Sequence, residues 1–207
     1  MITNTKTSFI YKSVYLVIGF IGLFLATEIY TGTFNDGFFV YYTNISNLIA
    51  FGLMTYLWGI DYQILKGNPR TLKYPSVRFV ITIMILVTLI IYNTLLGNLF
   101  DPSYWRVRNV IMHLVGPLMV VIDFLMFNPR NNLKWRVILD SLVLPYLYVI
   151  ITLIIGLFTS SYPYFFLDVN NIGYSGVLGW VFILTLGFLV LSLALVYYNK
   201  FLLKNRK

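Results

Sequence analysis

Six uninterrupted apolar runs, at residues 14–30, 45–60, 79–96, 110–127, 137–158 and 177–198, dictate what this chain can fold into. Each is close to the roughly 20 residues that a helix needs to cross the hydrocarbon of a bilayer. The runs are continuous rather than alternating, so they read as helices and not as the period-two strands of a lipid-facing barrel. The composition agrees: 59% of residues are hydrophobic and 11% charged, against about 45–50% and 25% in an average soluble domain. A water-soluble globule and a disordered chain are both excluded. The loops are too short for a second domain. The expectation is one all-α domain over 1–207, a polytopic membrane bundle of six transmembrane helices, with the second span extended outward through Thr43 and Asn44.

Basic residues orient the bundle. Lys6 and Lys12, the second loop (Lys66, Arg70, Lys73, Arg78), the fourth loop (Arg130, Lys134, Arg136) and the tail (Lys200, Lys204, Arg206, Lys207) hold thirteen of the 15 Lys and Arg; the other loops hold Arg106 and Arg108. Cytoplasmic segments carry the excess of positive charge, so both termini are expected to face the cytoplasm. The net charge of +8 then faces anionic lipid headgroups. It does not suggest nucleic acid, because the basic residues are scattered at helix ends without a groove or motif. No small-x-small cleavage site follows the first span, which reads as a retained anchor.

Polar residues inside a membrane are costly, and their depth is informative. On the cytoplasmic side lie Asp61, Asp123 and Asp140. Sequence neighbours suggest interfacial pairing, Asp123 with Arg130 and Asp140 with Lys134 or Arg136. On the outer side lie Glu28, Thr43, Asn44, Ser46, Asn47, Asn93, Asn109, His113, Asp168, Asn170 and Asn171. Thr43 and Asn47 are four apart and share a helical face. His113 is the single histidine. Pro117 lacks the N–H that would bond the His113 carbonyl, so it should loosen the fourth span beneath the histidine. Together these residues would form an outward-facing polar pocket with one titratable base. Each also has a plainer reading. Thr43 would cap the second helix, His113, Asn47 and Asn93 would be interhelical hydrogen-bonding residues, and Glu28 would lie among headgroups.

Several chemistries are excluded. One histidine and no cysteine leave no metal site, disulfide or thiolate nucleophile. There is no Walker loop, dinucleotide fingerprint or Gly-x-Ser-x-Gly elbow, so no cofactor is expected. Gly22 with Ala26, and Gly173, Gly176 and Gly179, read as helix-packing positions.

Three segments resemble a bacterial family of six-span membrane proteins distantly related to the animal androgen-induced proteins. They are Tyr42-Thr43-Asn44-Ile45-Ser46-Asn47, His113-Leu114-Val115-Gly116-Pro117 with Asp123, and Tyr162-Pro163-Tyr164-Phe165-Phe166-Leu167-Asp168-Val169. The animal relatives are intramembrane threonine hydrolases that cleave esters of fatty acids with hydroxy fatty acids, using one threonine and one histidine. The resemblance implies that Thr43 and His113 fill those roles. In that mechanism His113 takes the Thr43 proton as the hydroxyl attacks a lipid ester. Amides of Asn44, Asn47 or Asn93, or a backbone N–H at the start of the second span, would hold the oxyanion. Glu28 or Asp168 would orient the histidine. The alternative is a non-catalytic membrane protein that binds a lipid or small ligand in the same pocket, with the aromatic loop 162–166 as its lid or interfacial belt.

Overall fold

The computed structural model describes residues 4–68, 70–127 and 132–204. Among them, six helices are long and apolar enough to cross a membrane: α1 Thr5–Thr27, α2 Tyr42–Leu65, α3 Pro75–Leu96, α4 Val107–Phe127, α5 Val137–Thr159 and α6 Val169–Lys204. The chain is a multi-pass membrane protein. Apolar side chains such as Phe20, Ile150, Phe158 and Phe182 stand on its surface, where only lipid accommodates them cheaply.

Helix ends follow local chemistry. The Asn4 side chain accepts from the Lys6 and Thr7 amides and starts α1 nine residues before its apolar run, and Glu28 in the left-handed conformation stops it. Pro75 opens α3, where its missing N–H costs nothing. In the first turn of α6, Asp168 Oδ1 accepts from the amides of Asn170 and Asn171. Gly173, at φ 66° and ψ 171°, breaks the regular helix near its start. Its role is conformational rather than close packing, and a side chain added at Gly179 would meet open space.

The chain divides into two compact units, Met1–Asn131 and Asn132–Lys207. The second holds α5 and α6, joined by hydrogen bonds between Ser141 and Ser192 and between Tyr146 and Thr185. The aromatic loop folds onto this unit, with Tyr162 against Gly156 and Phe165 and Phe166 against Trp180.

The first unit holds α1 to α4 in three layers. The middle is apolar, with Tyr15, Ala50, Met54, Ile85 and Val120 in one buried cluster. At the end bearing the basic residues lies a charged layer that differs from the sequence expectation. Asp123, 1% exposed, binds Arg78 Nη2 at 2.6 Å and lies 3.0 Å from Lys12 Nζ. Lys12 also pairs with Asp61 at 3.0 Å, and Ser8 donates to the same Asp61 oxygen at 2.6 Å. Arg130, the partner expected for Asp123, lies outside the described residues. The cations that Asp123 does meet come from α1 and α3: a carboxylate this deep needs desolvated cations on neighbouring helices. Asp140 keeps a local partner, Arg136 at 3.5 Å, on an exposed helix face.

Candidate functional site

The third layer lies at the opposite end of the first unit. It is built where α2 begins and where α3 and α4 both depart from α-helical geometry. The residues Tyr92–Leu96 end α3 as a π-helix, and Ile111–Val115 form a second one inside α4. Each π turn carries one more residue than an α turn, an arrangement that recurs at functional sites. The second closes with the Gly116 N–H bonded to the Ile111 carbonyl. A Cβ at Gly116 would lie 2.8 Å from that carbonyl oxygen, so this position needs glycine.

The two π segments are fastened together. Asn93 Nδ2 donates to the His113 carbonyl at 3.0 Å and to the Leu89 carbonyl at 2.6 Å. Pro117, four residues on, has no N–H to give that carbonyl, and Asn93 supplies the donor instead. The His113 ring lies flat on Tyr92, with centroids 3.4 Å apart and planes at 9°. Asn47 makes the equivalent link from α2. Its Nδ2 donates to the Thr43 carbonyl at 2.9 Å and to the Met112 carbonyl at 2.8 Å. One amide nitrogen therefore joins the backbone of Thr43 to the residue preceding His113. Gly22 and Ala26 of α1 close the third side. A Cβ on Gly22 would lie 2.5 Å from Ile111 Cγ2, and Ala26 is buried against Met112.

Thr43 is 7% exposed. It does not cap α2: Tyr41 holds the N-cap position and no side chain caps the helix. Thr55, Thr82, Thr88 and Thr94 each donate to the carbonyl four residues back. Thr43 has no helical turn before it to bond, and among the described residues neither its hydroxyl nor its N–H makes a hydrogen bond. His113 Nδ1 is buried without a partner among the described residues. Buried polar groups are nearly always paired, so this nitrogen stands out, with the unbonded Thr43 hydroxyl in the same layer.

The other expected site residues are occupied elsewhere. Asn44 Nδ2 donates to the Phe38 carbonyl at 3.0 Å. Both Nδ2 hydrogens of Asn47 and of Asn93 are engaged by the carbonyls named above. These amides are structural donors and are not free to hold an oxyanion. Glu28 pairs with Arg108 at 2.6 Å on an exposed surface and does not orient His113. Asp168 binds the Asn171 side chain at 2.5 Å and the first turn of its own helix in the second unit. Ser46 bridges the Thr43 carbonyl and the Thr88 hydroxyl, both at 2.9 Å.

No family model, curated protein or solved structure matches this chain. The functional reading therefore rests on the residues themselves. Among those described, no three His, Asp or Glu side chains come together as metal ligands. Sequence reasoning missed Tyr92 and Tyr104. Tyr104 donates to Asn93 Oδ1 and stacks on Tyr92 at 5.8 Å. The only available signal was a tyrosine next to Asn93. It also missed the charged layer, since Lys12 and Arg78 read as loop charges.

Proposed function

We propose that this chain is an intramembrane hydrolase of lipid or fatty-acid esters, with Thr43 as nucleophile and His113 as base. The observation that supports it most is the pair of uncommitted groups, the Thr43 hydroxyl and His113 Nδ1, in a layer where the Asn47 and Asn93 amides are engaged. In the first step His113 removes the hydroxyl proton as Thr43 Oγ1 attacks the ester carbonyl. The N–H of Thr43 itself, an open donor at the positive end of α2, stabilises the oxyanion. The tetrahedral intermediate collapses, and the alcohol leaves with the proton from His113. A water molecule, deprotonated by His113, then attacks the acyl-threonine; Thr43 Oγ1 leaves with that proton from His113, and the fatty acid is released. Histidine works here without an orienting carboxylate, held instead by the Tyr92 ring.

A lipid ester reaches such a layer sideways between helices, its acyl chains remaining in the bilayer. The location proposed is a bacterial cell membrane, with both termini cytoplasmic and the Thr43 layer in the outer half. Taking the buried Lys12 and Arg78 out of the count of basic residues leaves the charge bias intact. The second reading, non-catalytic binding of a lipid or small ligand in the same layer, draws on the Asn47 and Asn93 amides, whose hydrogens are taken by carbonyls rather than left for an oxyanion.

The deciding experiment is turnover of fluorogenic medium-chain esters and of branched fatty-acid esters by the purified protein in nanodiscs, alongside labelling by a hydroxyl-directed hydrolase probe. Hydrolysis that Thr43→Ala and His113→Ala both abolish, and Thr43→Ser partly keeps, is the expected result. Absence of turnover together with absence of probe on Thr43 overturns the enzyme in favour of the binding protein.

A further inference from the structure

The loop between α3 and α4 reaches into the site through one side chain. Tyr104, 3% exposed, belongs to a short 3-10 helix, Pro102–Trp105, whose first turn is capped by the Asp101 side chain. Its hydroxyl donates to Asn93 Oδ1, and Asn93 Nδ2 donates to the His113 carbonyl. A stack runs parallel to this chain of bonds: Tyr104 on Tyr92, and Tyr92 on the imidazole. Gly97 makes the packing possible. A Cβ there would lie 2.8 Å from the Tyr92 ring and 3.1 Å from the Tyr104 ring.

We propose that Tyr104 and Asn93 are positioning residues for His113, through which the α3–α4 loop sets the direction of the imidazole. The π turn at Ile111–Val115 supplies the leverage. At 3.6 residues per turn, losing its one extra residue would rotate the preceding helix by roughly 100° and carry the histidine away from its present face. Asn93 holds that turn by its carbonyl, and Tyr92 fixes the ring plane. Tyr104 in turn fixes Asn93: by accepting from Tyr104, Oδ1 leaves the two Nδ2 hydrogens directed at the Leu89 and His113 carbonyls. Leu99, Phe100 and Trp105 of this loop are exposed, and the Trp105 indole N–H donates to the Leu99 carbonyl. The inference rests on the hydrolase reading in its kinetic arm alone.

His113 is the only histidine in the chain, so histidine labelled with 15N gives the imidazole signals of one residue. The full chain in nanodiscs is compared with Tyr104→Phe, which removes a hydroxyl and keeps the ring, and with Asn93→Asp, which keeps an acceptor for Tyr104 and loses the donor. A single size-exclusion peak and an unfolding transition establish that each variant is folded. The expected result is displaced or split His113 signals in both variants. With it comes a kcat lower by roughly tenfold or more at little-changed KM, as misplacement of a base produces. Wild-type signals in both folded variants overturn the relay whatever the turnover. Displacement in Asn93→Asp alone overturns the part given to Tyr104. If the wild-type protein cleaves no ester, the hydrolase reading fails while the imidazole signals still decide the relay.

Discussion

Thr43 and Asp123 are both buried polar residues, and their surroundings assign them opposite work. Asp123 is neutralised by Arg78 and Lys12 at 2.6 and 3.0 Å, whereas His113 Nδ1 is buried with no partner among the described residues and the Thr43 hydroxyl makes no hydrogen bond there. Removing the first should cost stability, and removing the second should cost chemistry. Asp123→Ala leaves two buried cations short of a carboxylate and should lower stability by about 3–5 kcal/mol, read by thermal unfolding in detergent. Asp140→Ala, on an exposed i,i+4 pair, should change it by less than about 1 kcal/mol. In the ester assay Thr43→Ala with His113→Ala should lose little more activity than either alone, since a nucleophile and its base act as one unit. Two independent structural roles would instead make the losses add. Thr43, Asn47 and His113 were legible as a group because depth and helical spacing are sequence properties. The engagement of the amides was not, because it depends on which carbonyls a neighbouring helix leaves open. The partners of Asp123 were hidden for the same reason: they come from α1 and α3, far away in sequence.

Among the elements, α4 departs most from its sequence pattern. Its apolar run is uninterrupted, and only Pro117 signals a disturbance; that the strain is absorbed one turn earlier, as a π turn closed by Gly116, follows from the Asn47 and Asn93 amides waiting on α2 and α3. Gly116 carries the geometry. Gly116→Ala puts a methyl group 2.8 Å from the Ile111 carbonyl oxygen and should destabilise the first unit by about 1–3 kcal/mol, the range for an overpacked interior. Gly52 and Gly59 of α2 have open space around a Cβ. Gly52→Ala should therefore be neutral or slightly stabilising, by up to about 1 kcal/mol, through helix propensity. An unfolding series in one detergent checks both, and equal effects at Gly116 and Gly52 would remove the special status of the π turn. The helix ends were partly legible. The start of α2 beyond its apolar run follows from Thr43 and Asn44, while the Asn4 cap of α1 lies outside the hydrophobic pattern altogether.

At the scale of the whole molecule, six spans follow from hydrophobic length alone, since no other fold hides six such runs. The orientation is testable because the native chain has no cysteine. Single cysteines placed at the exposed positions Asp36 and Asn171 should react with an impermeant maleimide on intact cells, and one at Gly67 should react only after lysis. The reverse pattern would invert the bundle and place the Thr43 layer on the cytoplasmic side. The charged layer also bears on how the protein is made. As synthesis proceeds, Lys12, Asp61, Arg78 and Asp123 emerge in alternating sign, one on each of the first four helices. Within this layer the first hairpin is neutral once Lys12 meets Asp61, and the second once Arg78 meets Asp123; the contact between Lys12 and Asp123 then joins one hairpin to the other. In nascent chains halted after two or four helices the charges of this layer are therefore balanced. A chain halted after three leaves Arg78 without the carboxylate it pairs with in the finished bundle.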